Sequence, residues 1–421
     1  MADKFVINGE KHLNGEIEVR GSKNAAGPVL VATLLTEKEC VIDNLPLIED
    51  IFNTIEVLKS IGAEVKWEGE RKIKIKCEKI NPDKIDFEKV SKTRISVLFF
   101  GALLSRCKNF KISHPGGDRI GLRPITLHLD AFKKLGAEIS EEGDIYNISC
   151  KELRGTEIVL QEFSVTATEN IILASVLANG KTIIKGASSE YQVRDLAKML
   201  ISMGAKIKGA GTHIIEIEGI KNLNGASHQV IFDPLEAGTF IAIGAACKGS
   251  IKVKNTNSEF LDLFFAKLEE MGVNLEKGED YVIVSHSPNL KAVKVQALPY
   301  PGFPTDLLPI IIPLLIQANG TSLVHDPLYE NRFSYIEELR KMGADINLVD
   351  PHRAFVTGPA KLFGANISSN DIRAGACLVV AALTAEGETV VENISQIDRG
   401  YEKIEERLQK LGASIKRISN L

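Results

Sequence analysis

The sequence predicts an α/β protein in which one structural unit is used six times, and three observations carry this. An amphipathic helix closes on a Leu-x-x-φ-Gly-Ala-like stop six times: LKSIGAEV at 58, FKKLGAEI at 132, LISMGAKI at 200, LEEMGVNL at 268, LRKMGADI at 339 and LQKLGASI at 408. The glycines Gly62, Gly136, Gly204, Gly272, Gly343 and Gly412 lie 74, 68, 68, 71 and 69 residues apart. Each suits the C′ position of a helix, where left-handed backbone is required, and the residues that follow alternate as a strand should. Upstream of each stop runs a second, more apolar helix, near 25–35, 95–104, 170–177, 238–246, 307–317 and 374–385.

Taken in order, each unit reads as strand, buried helix, strand, exposed helix and two further strands. Several buried helices end in a Gly turn that opens a strand, as in ANGKTIIKGA, CKGSIKVKN, ANGTSLVHD and AEGETVVEN. A helix that is apolar nearly all round must be surrounded by protein, so three units are expected to gather their inner helices with sheets outside. Three plus three gives two similar domains, and a cleft between like halves is the natural place for a ligand.

Composition narrows the function. A chain of 421 residues, 44% hydrophobic and 25% charged, buries a large core and divides into domains. Net charge is −4 without a basic run, which argues against nucleic acid or a membrane surface as partner. The start, MADKFVINGE, has no apolar h-region, and the longest apolar run, 307–316, is short and holds Pro309 and Pro313, so neither export nor a membrane span is expected. Six cysteines stand at least 30 positions apart with no C-x-x-C pair, which fits a reducing cytoplasm; no Cys/His cluster suggests a metal, and no cofactor is expected.

The charged residues concentrate where apolar helices begin. RGSKNAAG (20–27), SKTR (91–94), SVTATEN (164–170), FPTD (303–306) and NDIRAGA (370–376) put Lys23, Asn24, Arg94, Ser164, Thr166, Asp306, Asp371 and Arg373 at equivalent junctions. Asp306 and Asp371 also read as simple N-caps. Basic residues at the positive end of a helix gain nothing from its dipole, so Lys23, Arg123 and Arg373 point to an anionic ligand held between them. ENRF with Arg332, and IDRGYEKIE with Asp398 and Arg399, stand at the entries of exposed helices and read first as caps; Arg332 and Arg399 join this candidate clamp, while the Glu/Lys/Arg-rich remainder of the last helix reads as a solvated face. The loop HPGGDRIGLRP (114–124) places Gly116 and Gly117 before Asp118, Arg119 and Arg123, with Pro124 opening a helix and Arg123 at or beside its N-cap. An anion site with a movable acid is the expectation.

Together RGSKNA, PGGDRIGLRP, FPTD, ENRF, NDIRA, IDRGYEKIE and the six-fold repeat resemble the enolpyruvyl transferase family nearly end to end. Asn24, where the shikimate branch carries a serine, places the resemblance on the nucleotide-sugar branch. The resemblance implies two inside-out α/β barrel domains, residues 22–229 with a lid loop at 112–124, and residues 1–21 with 230–421, present as a monomer or weak homo-oligomer. It implies that the 3-hydroxyl of UDP-N-acetylglucosamine adds to C2 of phosphoenolpyruvate, C3 is protonated and phosphate leaves, a step of peptidoglycan precursor synthesis. By the same resemblance Lys23, Arg123 and Arg399 take the phosphate of phosphoenolpyruvate, Arg332 and Arg373 its carboxylate, and Asn24 and Arg94 complete the wall. The nucleotide sugar is assigned Asn24, Arg94, Arg123, Pro124, Ile125, Leu127, Ser164, Val165, Asp306 and Leu328. Asp306 is the expected base, Asp371 supports Arg373, Asp118 supplies the acid or aids product release, and Lys23 and Arg399 act with them. An enolpyruvyl transferase for another nucleotide or alcohol, and a non-catalytic nucleotide-sugar binder, are the alternatives.

The sequence departs from the family pattern at three places. Asp118 stands where the commoner pattern has cysteine, Glu162 where a lysine near the diphosphate is usual, and Thr126 where an aspartate commonly meets the uracil. A carboxyl titrates near about 3.9 and a thiol near about 8.5, so a carboxyl serves as an acid at neutrality only when substrate closure desolvates it. The epoxide antibiotic fosfomycin alkylates the thiol at this position, so the protein is expected to resist covalent inactivation and Asp118→Cys to gain sensitivity. A drug adduct on the unaltered protein in intact mass spectrometry contradicts this.

Overall fold

A computed structural model describes residues 3–118 and 120–419; Arg119 lies outside the described residues. The chain divides into two compact units, unit 1 comprising Met1–Arg20, Arg119–Leu122 and Phe232–Leu421 and unit 2 comprising Gly21–Asp118 and Arg123–Ile231.

Each repeat supplies one small sheet. In the fifth, strand Gly320–His325 pairs antiparallel with Arg353–Gly358, which pairs antiparallel with Asp345–Asp350, and Lys294–Gln296 adds in parallel on the other side. The fourth strand comes from the preceding repeat, and this rule closes unit 2 on itself. Glu157–Val159 joins Lys181–Lys185, and Ser227–Gln229, at the end of the third repeat, returns to Cys40–Asp43 of the first. Unit 1 closes the same way through its N-terminal residues, with Leu13–Glu18 parallel to Gly249–Lys254. The sixth repeat has a single strand, Ser414–Ile418, after its last glycine; Lys4–Asn8 lies between it and Glu388–Glu392 and completes the sheet. Among the described residues there are six sheets, five of four strands and one of three, and none closes on itself; the two units of three repeats agree with the α/β fold expected from the resemblance.

The inner helices are where the apolar runs predict them. In unit 1, Pro234–Ala246, Leu308–Gln317 and Ile372–Thr384 pack on one another. Every residue of Pro234–Ala246 is buried, including Phe240, Ile241 and Ile243. Each such side chain contributes about 1.5–3 kcal/mol, which makes this interior the main source of the unit's stability. In unit 2, Leu98–Arg106 packs against Val165–Ser175, and Lys23–Ala32 against Leu98–Arg106. There a buried polar contact sets the fit: Asn170 accepts from the Gly101 N–H at 2.9 Å and donates to the Val97 carbonyl at 2.7 Å. No helix among the described residues is long and apolar enough to cross a membrane. The six cysteines are free, and burial pushes the Cys77 and Cys247 thiols up to about 12.

Three local expectations change. The helix after Pro124 is Thr126–Lys134 with Ile125 at its N-cap, so Arg123 precedes it by a bend with φ 47° and is not a cap residue. Asp398 ends a short helix and pairs with Arg417 at 2.6 Å, so it does not cap the last helix, Ile404–Lys410. That helix is solvated on one side only: Glu406, Gln409 and Lys410 are exposed, whereas Glu405 and Arg407 are buried, and Arg407 pairs with Glu236 on the inner helix of the fourth repeat. A charged sequence there conceals an ion pair anchored on the core.

All six stop glycines have positive φ, from 84° at Gly272 to 106° at Gly136. At Gly62 a Cβ would also come within 2.6 Å of the Lys79 carbonyl at φ 105°. Gly62→Ala is expected to destabilise unit 2 by more than about 1 kcal/mol, read as a lower urea midpoint; an unchanged midpoint contradicts the assignment of this glycine to a helix stop.

Candidate active site

In unit 1 the junction residues of the fifth and sixth repeats converge on Asp306. It sits in the 3-10 turn Thr305–Leu307 that leads into Leu308–Gln317. Its Oδ1 accepts from Arg332 Nη2 at 3.0 Å and its Oδ2 from Arg373 Nε at 3.1 Å. Arg373 is the second residue of Ile372–Thr384, whose N-cap, Asp371, accepts the Arg373 and Ala374 backbone N–H groups at 2.8 Å each. The cap therefore fixes the turn that aims Arg373, and the two readings of Asp371 merge. Arg332 comes from the loop before Ile336–Lys341 and is fully buried, 1% exposed.

Neither arginine is an open clamp waiting for an anion, as its place at a helix start suggested. Arg332 also faces Asp326, with Nε 3.5 Å from Oδ2. Asp326 in turn accepts the Thr305 hydroxyl at 2.6 Å and the backbone N–H of Leu328 at 2.8 Å. Arg373 donates to the Tyr401 hydroxyl at 2.9 Å, which meets the Thr239 hydroxyl at 2.8 Å. Burial works against both guanidinium charges, yet the surrounding oxygens outweigh it, those of Asp306 and Asp326 at Arg332 and those of Tyr401, Asp306 and Asp233 at Arg373. Both stay cationic. Arg399, half-buried, donates to Gln396 at 2.9 Å.

In unit 2, Ser22 caps Lys23–Ala32, and Lys23 begins that helix with its ammonium 3.1 Å from the buried Asp50 carboxylate; Asn24 beside it is half-buried. Arg94 opens the 3-10 turn Arg94–Val97 behind its cap Thr93. Gly117 lies so close to it that a Cβ there would stand 2.8 Å from the Arg94 Cβ and 3.4 Å from Arg123 Nη1. With φ 125°, Gly117 has the left-handed freedom expected of the loop; Gly116 does not, and is glycine because a Cβ would collide with the Ser91 carbonyl. Asp118 follows, half-buried. Leu122, 91% exposed, belongs with unit 1, where its N–H reaches Glu330 at 2.8 Å.

Arg94 also borders a buried histidine. Burial, aided by Arg94, pulls the His128 imidazole down to about 3. It is neutral, with Nδ1 2.8 Å from the Asn170 amide nitrogen and Nε2 3.4 Å from the Thr166 hydroxyl. Because an amide nitrogen only donates, Nδ1 accepts and Nε2 carries the proton toward Thr166. Ser164 caps Val165–Ser175 through the Ala167 N–H at 3.2 Å. Of the other nucleotide-sugar candidates, Ile125 is buried, Leu127, Val165 and Leu328 are half-buried, and Pro124 is exposed; so are Thr126 and Glu162.

Several residues here were not singled out from sequence. DPLEAGT (233–239) is the sixth inner-helix start, with Asp233 capping through Leu235 and Glu236 N–H groups, and its Asp-Pro signal was legible. Asp50, Asp326 and Tyr401 carried no comparable signal, since each is an ordinary residue until the fold turns it toward a cation. Among the described residues no cluster of three or more His, Cys, Asp or Glu side chains is arranged to hold a metal ion.

Known proteins match this architecture. The family model of EPSP synthase (3-phosphoshikimate 1-carboxyvinyltransferase) fits residues 7–408. The chain belongs to this family. Among its relatives, UDP-N-acetylglucosamine 1-carboxyvinyltransferase 1 of Carboxydothermus hydrogenoformans is 43% identical, covering 99% of both chains. UDP-N-acetylglucosamine 1-carboxyvinyltransferase 2 of Bacillus subtilis is 45% identical, over 98% of this chain and 96% of that one. The crystal structure of the enolpyruvyl transferase NikO from Streptomyces tendae shares the fold, with a TM-score of 0.90 over 100% of both chains at 22% identity.

Asp233 gives this family member a pH signature. Burial raises its carboxyl from 3.8 to about 6, with Arg373 and two backbone N–H groups pulling the other way. The folded form then binds this proton more tightly than the unfolded form, so stability falls as pH rises from about 4 to about 6, by roughly 3 kcal/mol. Asp233→Asn keeps a cap oxygen and cannot ionise, so its denaturation midpoint is expected to gain on the unaltered protein across that window. Identical pH dependence in both forms contradicts the assignment.

Proposed function

We propose that this protein is a UDP-N-acetylglucosamine 1-carboxyvinyltransferase, transferring the enolpyruvyl group of phosphoenolpyruvate to the sugar 3-hydroxyl with release of phosphate. The observation that carries this is identity of 43–45% to carboxyvinyltransferases of that name over 98–99% of the chain. The arrangement of Asp306 against Arg332 and Arg373 supports it.

Phosphoenolpyruvate is a small, highly charged anion and needs fixed cations that pay no reorganisation when it binds. By the family resemblance Arg332 and Arg373 are assigned its carboxylate and Lys23, Arg123 and Arg399 its phosphate, with Asn24 and Arg94 completing the set. The nucleotide sugar is assigned Asn24, Arg94, Arg123, Pro124, Ile125, Leu127, Ser164, Val165, Asp306 and Leu328. Addition requires a base for the hydroxyl proton and an acid for the methylene carbon. Asp306 accepts the first proton as oxygen bonds to C2, and Asp118 serves at C3 or in release of product. Loss of phosphate and of one C3 proton from the tetrahedral adduct restores the vinyl group. Asp371, by capping Ile372–Thr384, holds Arg373 in register. The reaction belongs to peptidoglycan precursor synthesis in the cytoplasm, by a monomer or weak homo-oligomer.

Purified protein is expected to release phosphate from phosphoenolpyruvate only when UDP-N-acetylglucosamine is present, and Asp306→Ala to lower turnover about 10²–10⁴-fold. Phosphate release with a different acceptor, and none with UDP-N-acetylglucosamine, overturns the reading.

A further inference from the structure

The partners of Arg332 and Arg373 are of two kinds. One kind is sealed inside the protein: Asp326 at Arg332 and Tyr401 at Arg373 are both fully buried. Their other bonds, to Thr305, Leu328, Tyr329 and Thr239, fix them in the fold. The other kind is a single shared group, Asp306, whose side chain is 27% exposed and whose two oxygens divide between the two guanidinium groups. One carboxylate thus bridges both arginines from the accessible side. A ligand carboxylate binding the same pair meets an occupant of its own chemistry.

We propose that Asp306 is a stand-in counter-ion, from which the carboxylate of the incoming substrate takes over Arg332 and Arg373, and that Asp326 and Tyr401 are the positioning residues that hold the two guanidinium groups during the exchange. The inference rests on the reading above that this pair binds the carboxylate of phosphoenolpyruvate. Its chemical consequence is an ordered activation. A carboxylate neutralised by two guanidinium groups is a poor proton acceptor, and a second carboxylate arriving beside it favours its protonated form. Substrate binding converts Asp306 from a structural counter-ion to a base, and the proton it then accepts is that of the attacking hydroxyl. Without Asp306 the pair would keep Asp326 at Arg332 and Asp233 near Arg373 but lose the one carboxylate they share whenever substrate is absent, which is unfavourable.

Asp306→Asn separates this from a base that merely sits nearby. Calorimetric titration with phosphoenolpyruvate is expected to show binding about tenfold tighter in the variant, the fold-change of one displaced charged hydrogen bond, although turnover falls. In a thermal melt the ligand-free variant is expected to unfold at lower temperature and acetate to raise its midpoint more than that of the unaltered protein, a readout that survives weakened folding. Tyr401→Phe is expected to raise KM for phosphoenolpyruvate while leaving kcat within a few-fold. Binding in Asp306→Asn that equals or falls below that of the unaltered protein, or equal stabilisation of both by acetate, overturns the inference. Phosphoenolpyruvate that binds neither form overturns the underlying reading instead.

Discussion

A helix with no polar side has to be enclosed, and the rest of each unit follows from that constraint. Pro234–Ala246 is buried along its whole length, and Leu308–Gln317 along all but its last residue. No single sheet covers such a helix, so three repeats must surround three helices together, every sheet but that of the second repeat taking a strand from elsewhere in its unit. The small sheets remain open because their task is to cover, and the strands at their margins are borrowed from a neighbour.

Enclosure also decides where chemistry is available. Inside the bundle there is no room for charge, so polar groups collect where the helices begin, at Asp306, Asp371 and Arg373 in unit 1 and Lys23, Arg94 and Ser164 in unit 2. These positions are backed by a closely packed interior. The cost is that cations such as Arg332 and Arg373 are taken out of water, which is tolerable only with oxygens already around them. A site built in this way is preorganised and also self-compensated.

The repeat was legible because its glycines answer to a backbone requirement that no other residue meets cheaply, and its inner helices because an unbroken apolar run has few physical readings. The starts of those helices located Asp306, Asp371 and Arg373 for the same reason. What stayed hidden was pairing across sequence distance. Nothing in IDRGYEKIEERL distinguishes the buried Tyr401 and Arg407 from an exposed amphipathic face, and nothing in LVHDP marks Asp326 as the partner of Arg332. The place of Arg123 was missed because Pro124 was read as opening the helix, its favoured position, whereas the helix begins at Thr126 behind Ile125.

The strand Lys4–Asn8 lies against Ser414–Ile418, and Arg417 reaches back 414 positions to Asp3. During synthesis the residues of unit 2, apart from the short excursion at 119–122, leave the ribosome as a nearly unbroken stretch with all their own partners. The opening segment has no such fortune. It is made before unit 2 and its sheet partners only after it, so through the synthesis of unit 2 an apolar strand with bare edges must be kept from pairing with other nascent chains. The burden of avoiding aggregation thus falls on this strand and its flank, where Lys4 beside Phe5 and the charged Glu10 and Lys11 beyond it are the means the sequence has for carrying it.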